Sequence, residues 1–92
     1  MKIIRDSVFI KSLQSYIKYI SFDSVRRAIK FEKDLNKKIN SLTTHPYKFR
    51  KSYHYHDERI RDLIFKGYTI PYMVDEDKQR IVILDIFKWQ DR

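Results

Sequence analysis

The sequence contains no cysteine, one glycine and two prolines in 92 residues. Without thiols it can build neither a disulfide framework nor a thiolate metal site, which fits a reducing compartment. A single glycine excludes the glycine-rich loops that cradle phosphates, and no Ser-His-Asp order stands out. No run approaches the roughly 18 apolar residues of a membrane-spanning helix. Met1-Lys2-Ile3-Ile4-Arg5-Asp6 meets charge at once and has no apolar signal core. A cytoplasmic protein with no membrane partner is expected. Acidic residues are also short: twelve Asp and Glu against twenty Lys and Arg leave a net charge of +8. A field of that sign favours an acidic partner, whether nucleic acid, an anionic surface or an acidic protein segment.

What is present is apolar and aromatic. Hydrophobic residues make up 42% of the chain and aromatics 15%, enough to argue for a folded core despite 35% charged residues. The length allows one domain, residues 1–92, and one core. The densest apolar stretch is Glu58–Lys88. There, three runs rich in Ile, Val, Phe and Tyr are separated by Lys66-Gly67 and by Asp75-Glu76-Asp77-Lys78. β-Branched and aromatic side chains suit a half-buried pleated surface, so the pattern predicts an antiparallel meander. Gly67 falls where a tight reversal calls for positive φ. Tyr68, Ile70, Tyr72 and Val74 alternate and are expected in the core. Pro71 cannot donate to a ladder, so it requires an edge, a bulge or an unpaired direction.

Before the meander the period changes. Lys2–Arg5 reads as a short edge strand. Asp6-Ser7 offers a helix cap, and Phe9, Leu13, Tyr16, Ile17 and Ile20 recur at helical spacing. Ser21-Phe22-Asp23-Ser24 breaks this helix and caps a second, whose predicted stripe is Phe22, Val25, Ala28, Ile29, Leu35, Ile39 and Leu42. Arg26, Arg27, Lys30, Lys33, Lys37 and Lys38 form its outer face. So short a link predicts an antiparallel helical hairpin. Pro46 closes the second helix, and Tyr47–Tyr55 reads as a strand or extended loop. The predicted class is α+β, with an N-terminal helical hairpin packed on a mainly antiparallel sheet in the order β-α-α-β-β-β-β.

Two clusters carry chemistry. His54, His56, Asp57 and Glu58 have residue types of a metal or acid–base site, but beside a turn such residues are ordinarily solvated, and no metal or cofactor is expected. Arg50, Lys51, Arg59 and Arg61, interleaved with Tyr53 and Tyr55, have the equipment for gripping phosphates or for anchoring a protein. A charged outer sheet face is the ordinary alternative. Trp89 is either a cap on the core or an exposed anchor.

The run Arg59-Ile-Arg-Asp-Leu-Ile-Phe-Lys-Gly-Tyr-Thr-Ile-Pro-Tyr-Met-Val, followed by Ile81-Val-Ile-Leu-Asp-Ile-Phe-Lys, resembles the RelE/ParE superfamily of bacterial type II toxins. Size, the two-helix start and Leu42…Pro46 match as well, so the resemblance spans nearly the whole chain. It implies a cytoplasmic toxin neutralised by a cognate antitoxin with an acidic, flexible tail, which suits the charge of +8.

The superfamily divides by target. RelE-like members cut mRNA on the ribosome, using basic residues on the strand before Gly-Tyr, an arginine after it, and basic or aromatic groups near the end of the last strand. Aligned without a gap on Gly67-Tyr68, this chain has Thr69 at that arginine, and Ile60, Asp62 and Ile64 at the alternate strand positions. A one-residue shift is needed to bring Arg59 and Arg61 into the basic positions. Lys88, Trp89 and Gln90 stand where the nucleases place Arg, His or Tyr. The nuclease alternative would rest on Arg50, His54, His56, Arg59, Arg61 and Lys88. ParE-like members lack the catalytic set and poison DNA gyrase through protein contacts and their C-terminal end. The Phe87-Lys88-Trp89-Gln90 ending is close to theirs. The resemblance therefore implies a non-catalytic gyrase inhibitor rather than an enzyme, with Arg59, Arg61, Lys88, Trp89, Gln90 and Arg92 as target-binding residues. A basic binding module without toxicity is the remaining alternative.

Overall fold

A computed structural model describes residues 1–88. The chain runs β1 (Lys2–Arg5), α1 (Ser7–Asp23), α2 (Val25–Ser41), β2 (Ile60–Phe65), β3 (Tyr68–Asp75), β4 (Arg80–Ile83) and β5 (Phe87–Lys88). The sheet has the order β1-β4-β3-β2, with β5 pairing β3 beyond the end of β4. Pairing is antiparallel except between β1 and β4, so β1 is a parallel edge strand.

Local chemistry sets the element ends. The Asp6 carboxylate accepts from the Val8 N–H at 3.0 Å and starts α1. Ser24 alone makes the bend: its N–H donates to the Ile20 carbonyl, and its hydroxyl accepts from the Arg27 N–H at 3.2 Å. The first helix therefore runs through Ser21–Asp23, where the sequence predicts a break. The second stripe also differs from expectation. Phe22, Val25 and Ile29 are 79%, 64% and 63% exposed, whereas Phe31 is buried with Ala28, Leu35 and Ile39. Phe31 lies three residues after Ala28 and four before Leu35, so helical spacing alone puts it on the inner face, whereas Phe22 belongs to the first helix and Val25 and Ile29 fall outside the buried stripe.

Lys66 (φ 49°) and Gly67 (φ 82°) form the two-residue reversal between β2 and β3, both with the positive φ of a type I′ turn. Tyr68, Ile70, Tyr72 and Val74 face the helices and are buried with Leu63, Phe65, Ile81 and Ile83 against Phe9, Leu13, Phe31, Leu35 and Ile39. Phe31 meets Phe65 and Tyr68 edge-on at 5.5 and 5.1 Å. The last apolar run is not one strand. Pro71 accepts from the Leu84 N–H on the side where it has no N–H to return, and the partner strand breaks there into β4 and β5. The seven-element order matches the sequence prediction, but Tyr47–Tyr55 is not one of its strands. That segment is an extended loop with one bridge, Lys51 to Arg61.

Candidate functional site

The segment Arg50–Glu58 runs along the free edge of β2 and then crosses the sheet face that points away from the helices. The Ser52 N–H donates to Ile60 and the Asp62 N–H to Arg50, at 2.9 and 3.1 Å. Beyond this edge the His54 ring stands against Phe87 at 5.2 Å and 86°. Beneath the strap, Asp62 is fully buried and Thr69 is 1% exposed. Among the described residues neither Asp62 oxygen accepts a hydrogen bond, and its nearest cation is Arg50 at 3.8 Å. Burial first, then the charges of Asp85, Asp62 and Asp6, push the Tyr55 phenol up. The side of the sheet under the strap thus buries Asp62 and Thr69, while Ile64 on the same face is 43% exposed.

The basic residues of the strap region are brought together, each with a partner inside the molecule. Arg50 stacks on Tyr53 at 4.1 Å, and Lys51 pairs with Glu58 at 3.0 Å. Arg61 donates to the Phe49 carbonyl at 3.2 Å and lies over the Tyr47 ring, on the helix side with Leu63 and Phe65. Arg59 grips Asp57 through Nε and Nη2, at 3.1 and 2.8 Å. The hydrogen bond from the Arg59 side chain, then that from its backbone, holds Asp57 down at about 2. Because the folded value lies below the ordinary carboxylate value, this contact is fully present above pH 4 and is lost as pH falls through about 2. The carboxyl carbon resonance of Asp57 should accordingly titrate with a midpoint near 2; a midpoint at the ordinary value near 4 would contradict the pairing.

The histidines do not converge. The His54 ring stands against Phe87 and is itself exposed, as are His56 and His45. The bend through residues 53–56 removes the strand alternation that would align His54 with His56. Among the described residues no group of three His, Asp or Glu side chains is placed to hold a metal ion.

The second region is the end of the described chain. Lys88 pairs with Tyr68, so its side chain lies on the helix side, while Phe87 pairs with Thr69 and points to the strap. The Lys88 N–H donates to the Tyr16 hydroxyl at 3.3 Å. Its ammonium lies 5.2 Å from the Tyr19 ring and 6.0 Å from the Tyr68 ring, and Tyr16 meets Tyr68 edge-on at 5.0 Å. Sequence reasoning placed Tyr16 and Tyr68 in the core and passed over Tyr19. The available signal was the three-residue spacing of Tyr16 and Tyr19, which sets both on one helix face. The expected target-binding residues Trp89, Gln90 and Arg92 lie outside the described residues.

A third surface is the hairpin. Tyr19, Phe22, Val25 and Ile29 are exposed beside Arg26, Arg27 and Lys30. Along α1 runs a groove of about 630 Å³ with Phe9, Leu13 and Ile17 in its floor and Arg5, Lys18 and Glu32 on its rim.

Comparison with known proteins adds three findings. A family model described as the ParE toxin of the type II toxin–antitoxin system, parDE, matches residues 3–91. A chain from the structure of the chromosomal ParDE TA system from P. aeruginosa superposes with a TM-score of 0.75 at 16% identity, covering 96% of this chain and 95% of its own. That likeness is one of fold. No curated protein matches the sequence.

Proposed function

The chain belongs to the ParE toxin family of type II toxin–antitoxin systems, and from that premise we propose that it arrests growth by inhibiting DNA gyrase without catalysis of its own. The observation that carries this reading is the state of the sheet face where a ribosome-dependent nuclease needs cations. Asp62, buried and acidic, and Thr69, 1% exposed, occupy it under the strap. The side chains at those positions are thus a buried carboxylate and a buried hydroxyl rather than cations that could hold phosphate. We assign the contact with gyrase to the C-terminal segment, residues 89–92.

We assign neutralisation to a cognate antitoxin whose acidic, amphipathic segment covers the hairpin. Exposed Tyr19, Phe22, Val25 and Ile29 offer apolar contacts, and Arg26, Arg27 and Lys30 offer charge of the complementary sign.

The test is inducible expression in a bacterium, following DNA breaks and SOS induction alongside primer extension on induced messages. Growth arrest with DNA damage and intact message is expected. Codon-phased message cleavage without DNA damage would assign the protein to the nuclease class, and unimpaired growth to a binding module. The histidines give a finer check. His56→Ala and His54→Phe, the latter keeping a ring against Phe87, remove both imidazoles and should leave growth arrest intact. Loss of arrest in the double variant, with the fold retained, would point to imidazole chemistry instead.

A further inference from the structure

We infer that Tyr16, Tyr19 and Tyr68 are positioning residues that hold Lys88, the last residue before the segment assigned to the target, against the helical hairpin. The inference rests on the reading that residues 89–92 contact the target. It assigns Lys88 a role inside the molecule, as the anchor of that segment rather than one of its contacts.

The described residues of β5, Phe87 and Lys88, pair with Thr69 and Tyr68. Lys88 is held from three directions. Its N–H donates to the Tyr16 hydroxyl at 3.3 Å, and its ammonium sits over Tyr19 and beside Tyr68 at 5.2 and 6.0 Å. Tyr16 and Tyr19 stand one turn apart on α1, and Tyr16 is braced edge-on against Tyr68. The opposite face of the strand is held by Phe87 against His54. Hairpin and strap therefore meet at Phe87 and Lys88, the two residues that precede the segment assigned to the target. Tyr19 is 67% exposed and adds little to the core; its ring is placed where the lysine arrives.

Amide hydrogen exchange by NMR on the full chain tests this, together with gyrase supercoiling assays. Tyr19→Leu should speed exchange at Lys88 about three- to fivefold, the scale of an exposed cation–ring contact, and raise the half-inhibitory concentration by a similar factor. Lys88→Met should do the same, and the double variant should be no worse than either single one. Tyr19→Phe, which keeps a ring under the ammonium, should restore both values. The core amides should exchange at the wild-type rate throughout. Unchanged exchange at Lys88 in Tyr19→Leu would overturn the inference. So would losses in the two single variants that multiply in the double one, because Lys88 would then act on the target independently of Tyr19. If the wild-type protein does not inhibit gyrase, the target assignment fails, and the exchange cycle alone decides whether Lys88 is clamped.

Discussion

A chain ending at Lys88 should fold, bind its antitoxin and fail to arrest growth. The core cluster runs from Phe9 to Ile86, and Ile86 is 1% exposed. The described strands all lie within residues 2–88. With residues 89–92 serving as a target contact rather than as a cap on the core, the melting temperature should fall by less than about 4 °C, under roughly 1 kcal/mol for a domain of this size. The residues removed include one tryptophan and one arginine, two of the types that dominate binding energy at interfaces. Losing one strong anchor of about 3 kcal/mol weakens inhibition more than a hundredfold. Circular dichroism with thermal melting, set beside colony counts under induction, separates the two effects. A truncated chain that still kills would move the target surface to the hairpin or the strap.

The second large effect concerns the strap. Arg50→Ala should destabilise the fold by about 2 kcal/mol, lowering the melting temperature by roughly 10 °C. The reason is Asp62. Its carboxylate is fully buried, accepts no hydrogen bond among the described residues, and has Arg50 as its nearest cation at 3.8 Å. Leaving a buried charge without its counter-ion costs about 3–5 kcal/mol where both partners are buried. Arg50 is 36% exposed at its side chain, so solvent already screens part of the attraction and the smaller figure applies. The Asp62→Asn background supplies the control, since it has no charge to abandon. Arg50→Ala in that background should cost less than about 0.5 kcal/mol. Equal costs in both backgrounds, by urea unfolding, would show that Arg50 holds the strap through its stack on Tyr53 rather than through Asp62.

These two residues show where the sequence was readable and where it was not. The meander, the capped hairpin, the Gly67 turn and the family followed from periodicity, turn chemistry and the order of motifs. All of these are local signals. Phe31 was legible from its spacing to Ala28 and Leu35 and was missed because the stripe was drawn through Phe22, Val25 and Ile29 instead. At Pro71 the sequence left an edge, a bulge or an unpaired direction open, and the fold resolves it by a break in the partner strand at Leu84–Ile86, the side on which Pro71 lacks a donor. Asp62 reads as an ordinary strand-face carboxylate in the sequence. Only the tertiary path of the strap buries it. The basic residues were legible as close in sequence, but whether arginines face solvent or their own carboxylates depends on contacts between segments. Arg61 with Phe49, twelve residues apart, is one such contact. Lys88 with Tyr16, 72 residues apart, is another.

The most direct test of gyrase inhibition uses the purified protein, purified gyrase, ATP and relaxed plasmid, resolved after protein denaturation. Linear DNA should accumulate in proportion to the protein added and vanish when the antitoxin is supplied in excess. Plasmid that stays intact and is supercoiled at the normal rate, at protein concentrations above those of the enzyme, would contradict it.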